Sequence, residues 1–450
     1  MSAVADHTQW DRDPALNALE TIFWRVEADP SLRSTMMALE ILERSPDWED
    51  LVALHQRALA RIPRLRKRVV DAQPPLLPPR WADDPQFDLD FHLRRTRLHE
   101  GATWRDLLVA AEQMVRTPFD RQRPPWEAVL VEGLPGGRAA YALKLHHSST
   151  DGVGTMQLMA ALHDVPVPRA GLAPAVPSQL GRAVGLARRL VGHPVGSVRD
   201  GISYGLSLQR VLAPPAAAPS PLLAQRSTNW RLAAIDVDLE PLRRAGKVAG
   251  GSVNDAYLAA LLGGYRLYHE AKGSPVDAIP MAIPVSVRRE EDADGGNRFT
   301  TVRLDGPVGL VDPRERIARV GEIVRRARVE PALDGLGVLA PVLARLPAPV
   351  LAQVAGGMAR GNDLQASNVP GAREPVTLAG VPVERLYPYA PLPGCPAMVT
   401  LVSHGSTCCV GVNYDPAAFT DGDLFLTSLE AGFAEVLALA GGGESARWVR

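Results

Sequence analysis

Apolar positions along the first third of the chain change period several times, and each change marks an element. "STMMALEIL" (34–42) is a continuous apolar run of strand length. Ser45 and Pro46 then offer a cap and a first-turn proline for a helix through "WEDLVALHQRALARI". Within it Trp48, Leu51, Val52, His55, Ala58, Leu59 and Ile62 recur on one helical face. A second amphipathic helix is predicted near 103–116, followed by strands at 126–134 and 138–147 around a Pro-Gly-Gly turn. After Asp151 the segment "GVGTMQLMAALHDV" reads as a helix.

From about 164 to 228 the periodicity lapses into a Pro/Ala-rich crossover with basic punctuation, part of which, "QLGRAVGLARRLV" (179–191), predicts a basic helix. A second folded unit starts near Trp230. It holds a helix, a turn and a longer helix within 238–271, the longer one capped near Ser252 to Asp255. A strand at 279–289 and alternating strands across 397–415 follow. The expected division is therefore 1–163, a linker at 164–228, and 229–450.

A length of 450 residues supports two cores better than one. Charge changes the picture by exclusion: 49 basic against 50 acidic residues give a net −1, so no basic field advertises nucleic acid. The three cysteines, Cys395, Cys408 and Cys409, form neither a ligand spacing nor a paired framework, which suits a reducing cytoplasm. The polar first residues are not a signal peptide. The most apolar stretch, Gly335 to Met358, carries Arg345 and three prolines, so it is expected to lie on a membrane surface rather than to span.

The chemistry concentrates in "KLHHSSTDGVG" (144–154), where a strand ends and a helix begins. A metal centre needs three or four ligands, and His146, His147 and Asp151 have no further cluster to complete one. A structural reading makes Asp151 an N-cap and both histidines buried, bonded side chains. A third reading makes one imidazole a general base, since it titrates near neutrality and can take a proton from an attacking hydroxyl. Ser148 and Ser149 lack the Gly-x-Ser-x-Gly elbow of a covalent nucleophile, which favours direct transfer between two bound substrates.

"HHSSTDG" resembles the HHxxxDG signature of the coenzyme A-dependent acyltransferase superfamily, which includes chloramphenicol acetyltransferase-like enzymes and peptide-synthetase condensation domains. More of the chain resembles one branch, the bacterial wax ester synthase/diacylglycerol acyltransferases. "RPPWEAVLVEGLPGG" is similar to that branch's Pro-Leu-Trp segment, with Pro125 where leucine is usual. "SVNDAYLAALLGGYR" is similar to its Asn-Asp motif, and "PVSVR" (284–288) and "SNVPG" (367–371) to two further blocks. "PALNALETIFWRVE" is similar to its N-terminal block, without the usual Pro-Leu-Ser-Pro opening.

The resemblance implies an α/β fold with mixed sheets. Two chloramphenicol-acetyltransferase-like domains would be joined by the linker, with an active-site tunnel between them. It implies an O-acyltransferase with no permanently bound cofactor, taking acyl-CoA as co-substrate and diacylglycerol or a long-chain alcohol as acceptor. His147 would be the general base, with His146, Asp151 and Gly152 completing the catalytic turn. Asn254, Asp255, Ser367, Asn368 and Trp126 are the candidates for substrate contact, against a helix N-cap pair for Asn254 and Asp255, core packing for Trp126 and a simple turn for Ser367–Gly371. An oxyanion donor among Asn254, Ser367 and Asn368 would be worth roughly 3–4 kcal/mol of transition-state stabilisation. Asp151 is expected to form a structural ion pair with Arg288. The enzyme is expected in the cytoplasm, attached peripherally to the inner membrane face or to lipid inclusions. Two other classes stay open: an acyltransferase or condensation enzyme for a non-lipid hydroxyl or amine, and a non-catalytic lipid-binding protein of the same fold.

Overall fold

A computed structural model describes residues 14–73, 77–163, 215–286, 297, 299–328, 335–372, 374–441 and 446–448. The predicted basic helix at 179–191 and Arg288 lie outside them. The first half contributes β1 (Thr35–Leu42), β2 (Lys67–Val70), β3 (Arg80–Asp83), β4 (Leu93–Arg97), β5 (Trp126–Glu132) and β6 (Ala139–His146). The second contributes β7 (Arg231–Asp238), β8 (Ile279–Ser286), β9 (Phe299–Gly306), β10 (Leu364–Val369), β11 (Thr377–Leu378), β12 (Val381–Tyr389), β13 (Ala397–His404), β14 (Thr407–Tyr414) and β15 (Ala446–Trp448).

Among the described residues these strands form two mixed sheets and the small β2-β3 ribbon. The first sheet runs β11-β12-β1-β6-β5-β4, the second β15-β7-β14-β13-β10-β8-β9. The β11-β12 hairpin is thus contributed by the second half of the chain to the first sheet, where β12 pairs antiparallel with β1 from Met37↔Tyr389 to Leu42↔Val383. "STMMALEIL" becomes β1, central and buried along its whole length, which is why it shows no alternation.

The helix predicted after Pro46 runs Trp48–Arg61. Its cap is Asp47, not Ser45: the Asp47 carboxylate accepts from the backbone N–H groups of Glu49 and Asp50. Leu51, Leu54 and Ala58 bury the apolar face, and His55 sits between the Leu51 carbonyl (2.8 Å) and the Tyr141 hydroxyl (2.8 Å). In the second half the Val253–Ala271 helix starts with a capping box and is buried on nearly all sides against the Gly422–Ala438 helix and the sheet. Leu261 and Leu262 are fully buried there, each stabilising the fold by roughly 1.5–3 kcal/mol.

A shared apolar core joins the halves, with Leu39, Ile41, Tyr387 and Tyr389 packed on Leu232, Ala234 and Met398. Asp236 of β7 reinforces it, accepting from Arg385 Nε (2.6 Å) and from the Tyr387 hydroxyl (2.7 Å) of β12. β14 crosses β12 so closely that a Cβ on Gly411 would lie 1.9 Å from the Pro388 carbonyl oxygen, so only glycine fits. The described end of the connector is already bonded to the second half: Ser220 N–H donates to Asp363 (2.7 Å) and Ser227 to Asp415 (2.5 Å).

Candidate active site

β6 ends at His146, and the chain turns through Ser148–Thr150 into the Gly152–Leu162 helix. Asp151 is that helix's N-cap: its carboxylate accepts from Gly154 N–H at 2.8 Å, and its carbonyl from Thr155 N–H at 2.8 Å. At the far end His163 Nε2 lies 2.6 Å from the buried Glu40 carboxylate of β1, so both ends of the helix are tied to the first half. The cap reading of Asp151 therefore holds, and the ordered turn fixes where each histidine points. The expected Asp151–Arg288 pair falls outside the described residues.

His146 is fully buried. Its Nδ1 accepts the Ser148 backbone N–H at 3.0 Å and lies 2.7 Å from the Ser148 hydroxyl. That bond leaves the proton on Nε2, which sits 2.8 Å from the Glu27 carboxylate. Trp24 and Phe119 stand edge-on to the ring, at 5.4 and 6.0 Å between centroids. Burial pushes the Glu27 carboxyl up, but His146, the Ser34 backbone N–H and Arg121 together hold it below its ordinary 4.5.

His147 is half-buried and held differently. Its backbone N–H donates to the Ser34 carbonyl at 2.8 Å, extending the β1–β6 ladder by one bond. Its ring stacks on Phe23 of the Ala18–Val26 helix (4.5 Å, 22°) and leans on Phe299 of β9 (5.6 Å, 43°). Asn297, just before β9, donates its side-chain N–H to the His147 carbonyl at 2.7 Å. The amide oxygen then faces His147 Nδ1 at 3.0 Å. An amide oxygen only accepts, so Nδ1 carries the proton and Nε2 keeps its lone pair. Burial is the largest influence on the His147 pKa and lowers it below 6.5, against the opposing pull of its own carbonyl, Asp151 and Asn297. At neutral pH the ring is a neutral base.

Gly152 faces the second half, where an added Cβ would lie 3.0 Å from Val369 Cγ2 at the end of β10. Through this contact the Ser367-Asn368-Val369 strand end meets the histidine turn. Asn368 donates toward the Asn254 amide oxygen at 3.5 Å, so two of the expected substrate-contact residues come together. Two others are placed elsewhere. The Asp255 carboxylate closes the capping box, accepting from Ser252 N–H and Oγ at 2.8 Å each. Trp126 is core: its indole N–H donates to the Leu65 carbonyl at 2.7 Å, and its ring stacks on His92 at 4.6 Å. Among the described residues no group of three or more His, Cys, Asp or Glu is arranged to hold a metal ion.

Phe23, Glu27, Asn297 and Phe299 were not singled out by sequence reasoning. Phe23 and Glu27 lie inside the N-terminal block noted there. Asn297 sits in "GGNRF", a stretch that reads only as a turn before a strand.

The arrangement of two mixed sheets, the first completed by a hairpin from the second half, is that of the acyltransferase and condensation-domain fold. A condensation domain of the calcium-dependent antibiotic synthetase shares it at TM-score 0.62, 16% identity, over 96% of this chain and 97% of that one. The wax ester synthase/diacylglycerol acyltransferase of Marinobacter aquaeolei VT8 shares it at TM-score 0.67, 21% identity, over 95% of this chain and 100% of that one.

Within that class, residues 16–257 match the wax ester synthase/diacylglycerol acyltransferase catalytic domain and residues 295–436 the WS/DGAT C-terminal domain. The chain belongs to this acyltransferase family. A relative in Mycobacterium tuberculosis H37Rv, whose name assigns it to the diacylglycerol O-acyltransferases, is 43% identical over 95% of this chain and 92% of its own length. Another from the same organism, named in the same way, is 30% identical over 74% of this chain and 78% of its own.

Proposed function

We propose that the protein transfers a long-chain acyl group from acyl-CoA to the hydroxyl of diacylglycerol or a long-chain alcohol, with His147 as general base. One observation carries this reading: Asn297 holds the proton on Nδ1, and burial keeps the ring neutral, so Nε2 is free to accept. Nε2 takes the acceptor's proton as its oxygen attacks the thioester carbon. The tetrahedral oxyanion is held by an amide of the Asn254–Asn368 pair, and collapse expels the coenzyme A thiolate, which recovers the proton from His147. A thiol-release assay with palmitoyl-CoA plus diacylglycerol, hexadecanol or no acceptor tests it. Release that ignores both lipid acceptors would move the reading to a non-lipid acceptor, and no release at all to a binding protein.

Both products are oily, so the acceptor comes from a lipid surface. Among the described residues no helix is long and apolar enough to cross a membrane. The Ala348–Arg360 helix buries Leu351 and Ala352 against Leu32, and Leu343 and Leu346 pack on the same cluster. Within the apolar stretch Gly335 to Met358, Leu343, Leu346 and Leu351 are thus taken up by packing, and Val350 is exposed, at 45%. Val342 (62%) and Val354 (38%) join it. The exposure of Val342, Val350 and Val354 supports a peripheral attachment through these three side chains. Changing all three to serine should lower vesicle co-sedimentation without loss of Tm; unchanged sedimentation would move the contact elsewhere.

Arg288 is proposed as the charge partner of Asp151. Asp151→Asn and Arg288→Met should each lower Tm, and the double variant should lose much less than their sum. Additive losses would remove the pairing.

A further inference from the structure

From the geometry we infer that Asn297 is a positioning residue for the reaction, setting the tautomer of the catalytic base from across the junction between the halves. The inference rests on His147 being that base.

The side-chain amide of Asn297 makes two bonds to one residue, 150 positions earlier in sequence. Its N–H grips the His147 carbonyl and its oxygen the ring Nδ1–H. Flipping the amide would set an N–H against Nδ1–H and an oxygen against a carbonyl, so the pair of contacts admits one orientation. Asn297 is itself 98% removed from solvent (2% exposed), and its own carbonyl lies 3.4 Å from the Asn17 side-chain amide, which donates to it. Asn17 caps the helix that carries Phe23, the ring stacked on His147. The clamp, the cap and the aromatic face thus form one connected unit.

A neutral imidazole has two tautomers of similar energy, and only one places the lone pair on Nε2. With Asn297 removed, part of the population would carry its proton on Nε2 and could not accept another there. The base is therefore completed by docking of the second half, since Asn297 and Phe299 both come from it.

The test compares Asn297→Leu and Asn297→Asp with the unaltered enzyme. Leucine removes the side-chain acceptor of Nδ1–H and leaves the ring only its own carbonyl, so kcat should fall by the share of the population that then carries its proton on Nε2, roughly several-fold. KM should hold, because Asn297 touches the base rather than the substrates. Aspartate keeps an acceptor and adds a negative charge beside the ring, which raises the His147 pKa. The acid limb of the kcat–pH profile should then move to higher pH, with activity recovering on the alkaline side. A residue that served folding alone would scale the whole profile without moving its limb.

Nitrogen-15 histidine spectra, with the His147 signal identified by its loss in His147→Gln, read the tautomer directly. A protonated Nδ1 is expected in the unaltered enzyme and a mixture in Asn297→Leu. An unchanged tautomer together with an unchanged kcat in Asn297→Leu would overturn the inference, as would an aspartate profile with no displaced limb. Full activity in His147→Gln would instead remove the general-base reading, while the spectra would still report whether Asn297 sets the tautomer.

Discussion

The ring of His146 accepts at Nδ1 and faces Glu27 through Nε2, whereas the ring of His147, one residue on, donates at Nδ1 and has no Nε2 partner among the described residues. The first ring is enclosed by its own half: Trp24, Glu27, Phe119 and Ser148. The second takes Phe23 from that half but Asn297 and Phe299 from the other. Successive residues at a strand end point to opposite faces, so one sequence pair can serve two purposes. If His147 is the base, as proposed, the histidine motif contains a structural residue and a chemical one, and the neighbours decide which is which.

The largest effect should come from separating the two. His147→Ala should lower kcat by roughly 10²–10⁴-fold, the span of general-base contributions, with little change in Tm. His146→Ala should do the reverse. It leaves the buried Glu27 carboxylate with only the Ser34 N–H and Arg121, a loss of about 1–3 kcal/mol, while folded protein keeps much of its turnover. Chemical denaturation and steady-state kinetics on both variants check this. Equal losses of turnover at unchanged stability would erase the distinction.

A smaller effect tests the second-half wall. Gly152→Ala places a methyl 3.0 Å from Val369 Cγ2 and should cost about 1–3 kcal/mol of stability through overpacking. Because β10 carries Ser367 and Asn368 at the same junction, kcat should fall with it. Val369→Ala in the same chain should restore much of both, since it removes the atom that clashes. Failure of that rescue would mean that the contact does not set the approach of the halves.

What the sequence made legible follows the same division. β1, β5, β6 and the helices at 48–61, 104–116 and 253–271 were expected within a residue or two, because burial on one side imposes a period that local reading detects. The turn at 146–152 was legible because its residues are consecutive. The β11-β12 hairpin's place in the first sheet was not, since pairing Met37 with Tyr389 is a property of topology and leaves no local trace. Asn297 was invisible for the same reason: a lone asparagine after two glycines has the composition of any turn. Trp126 and Asp255 run the other way. Each lies within a family-like motif, yet their polar atoms are occupied by Leu65 and Ser252.

The smallest expected effect separates the two histidine environments by pH rather than by deletion. The Glu27 carboxyl is held below its ordinary 4.5 by His146, Ser34 and Arg121, despite its burial. A carboxyl depressed on folding stabilises the native state above its unfolded pKa, and that contribution disappears as pH falls through the folded value. The advantage of the unaltered protein over Glu27→Gln should thus be full above about pH 4.5 and shrink below it. His147 is depressed as well, by burial first. For an imidazole this means that the unfolded chain gains its proton first, so stability relative to His147→Gln should start to fall below about pH 6.5. Urea midpoints for the three proteins between pH 7 and pH 4 should therefore diverge in two separate windows, the higher belonging to His147. Glu27→Gln should leave kcat nearly unchanged across the upper window, because Glu27 meets His146, Ser34 and Arg121 and not the His147 ring. If its loss instead moved the acid limb of kcat, the two environments would be coupled, and the wall behind His146 would belong to the chemistry.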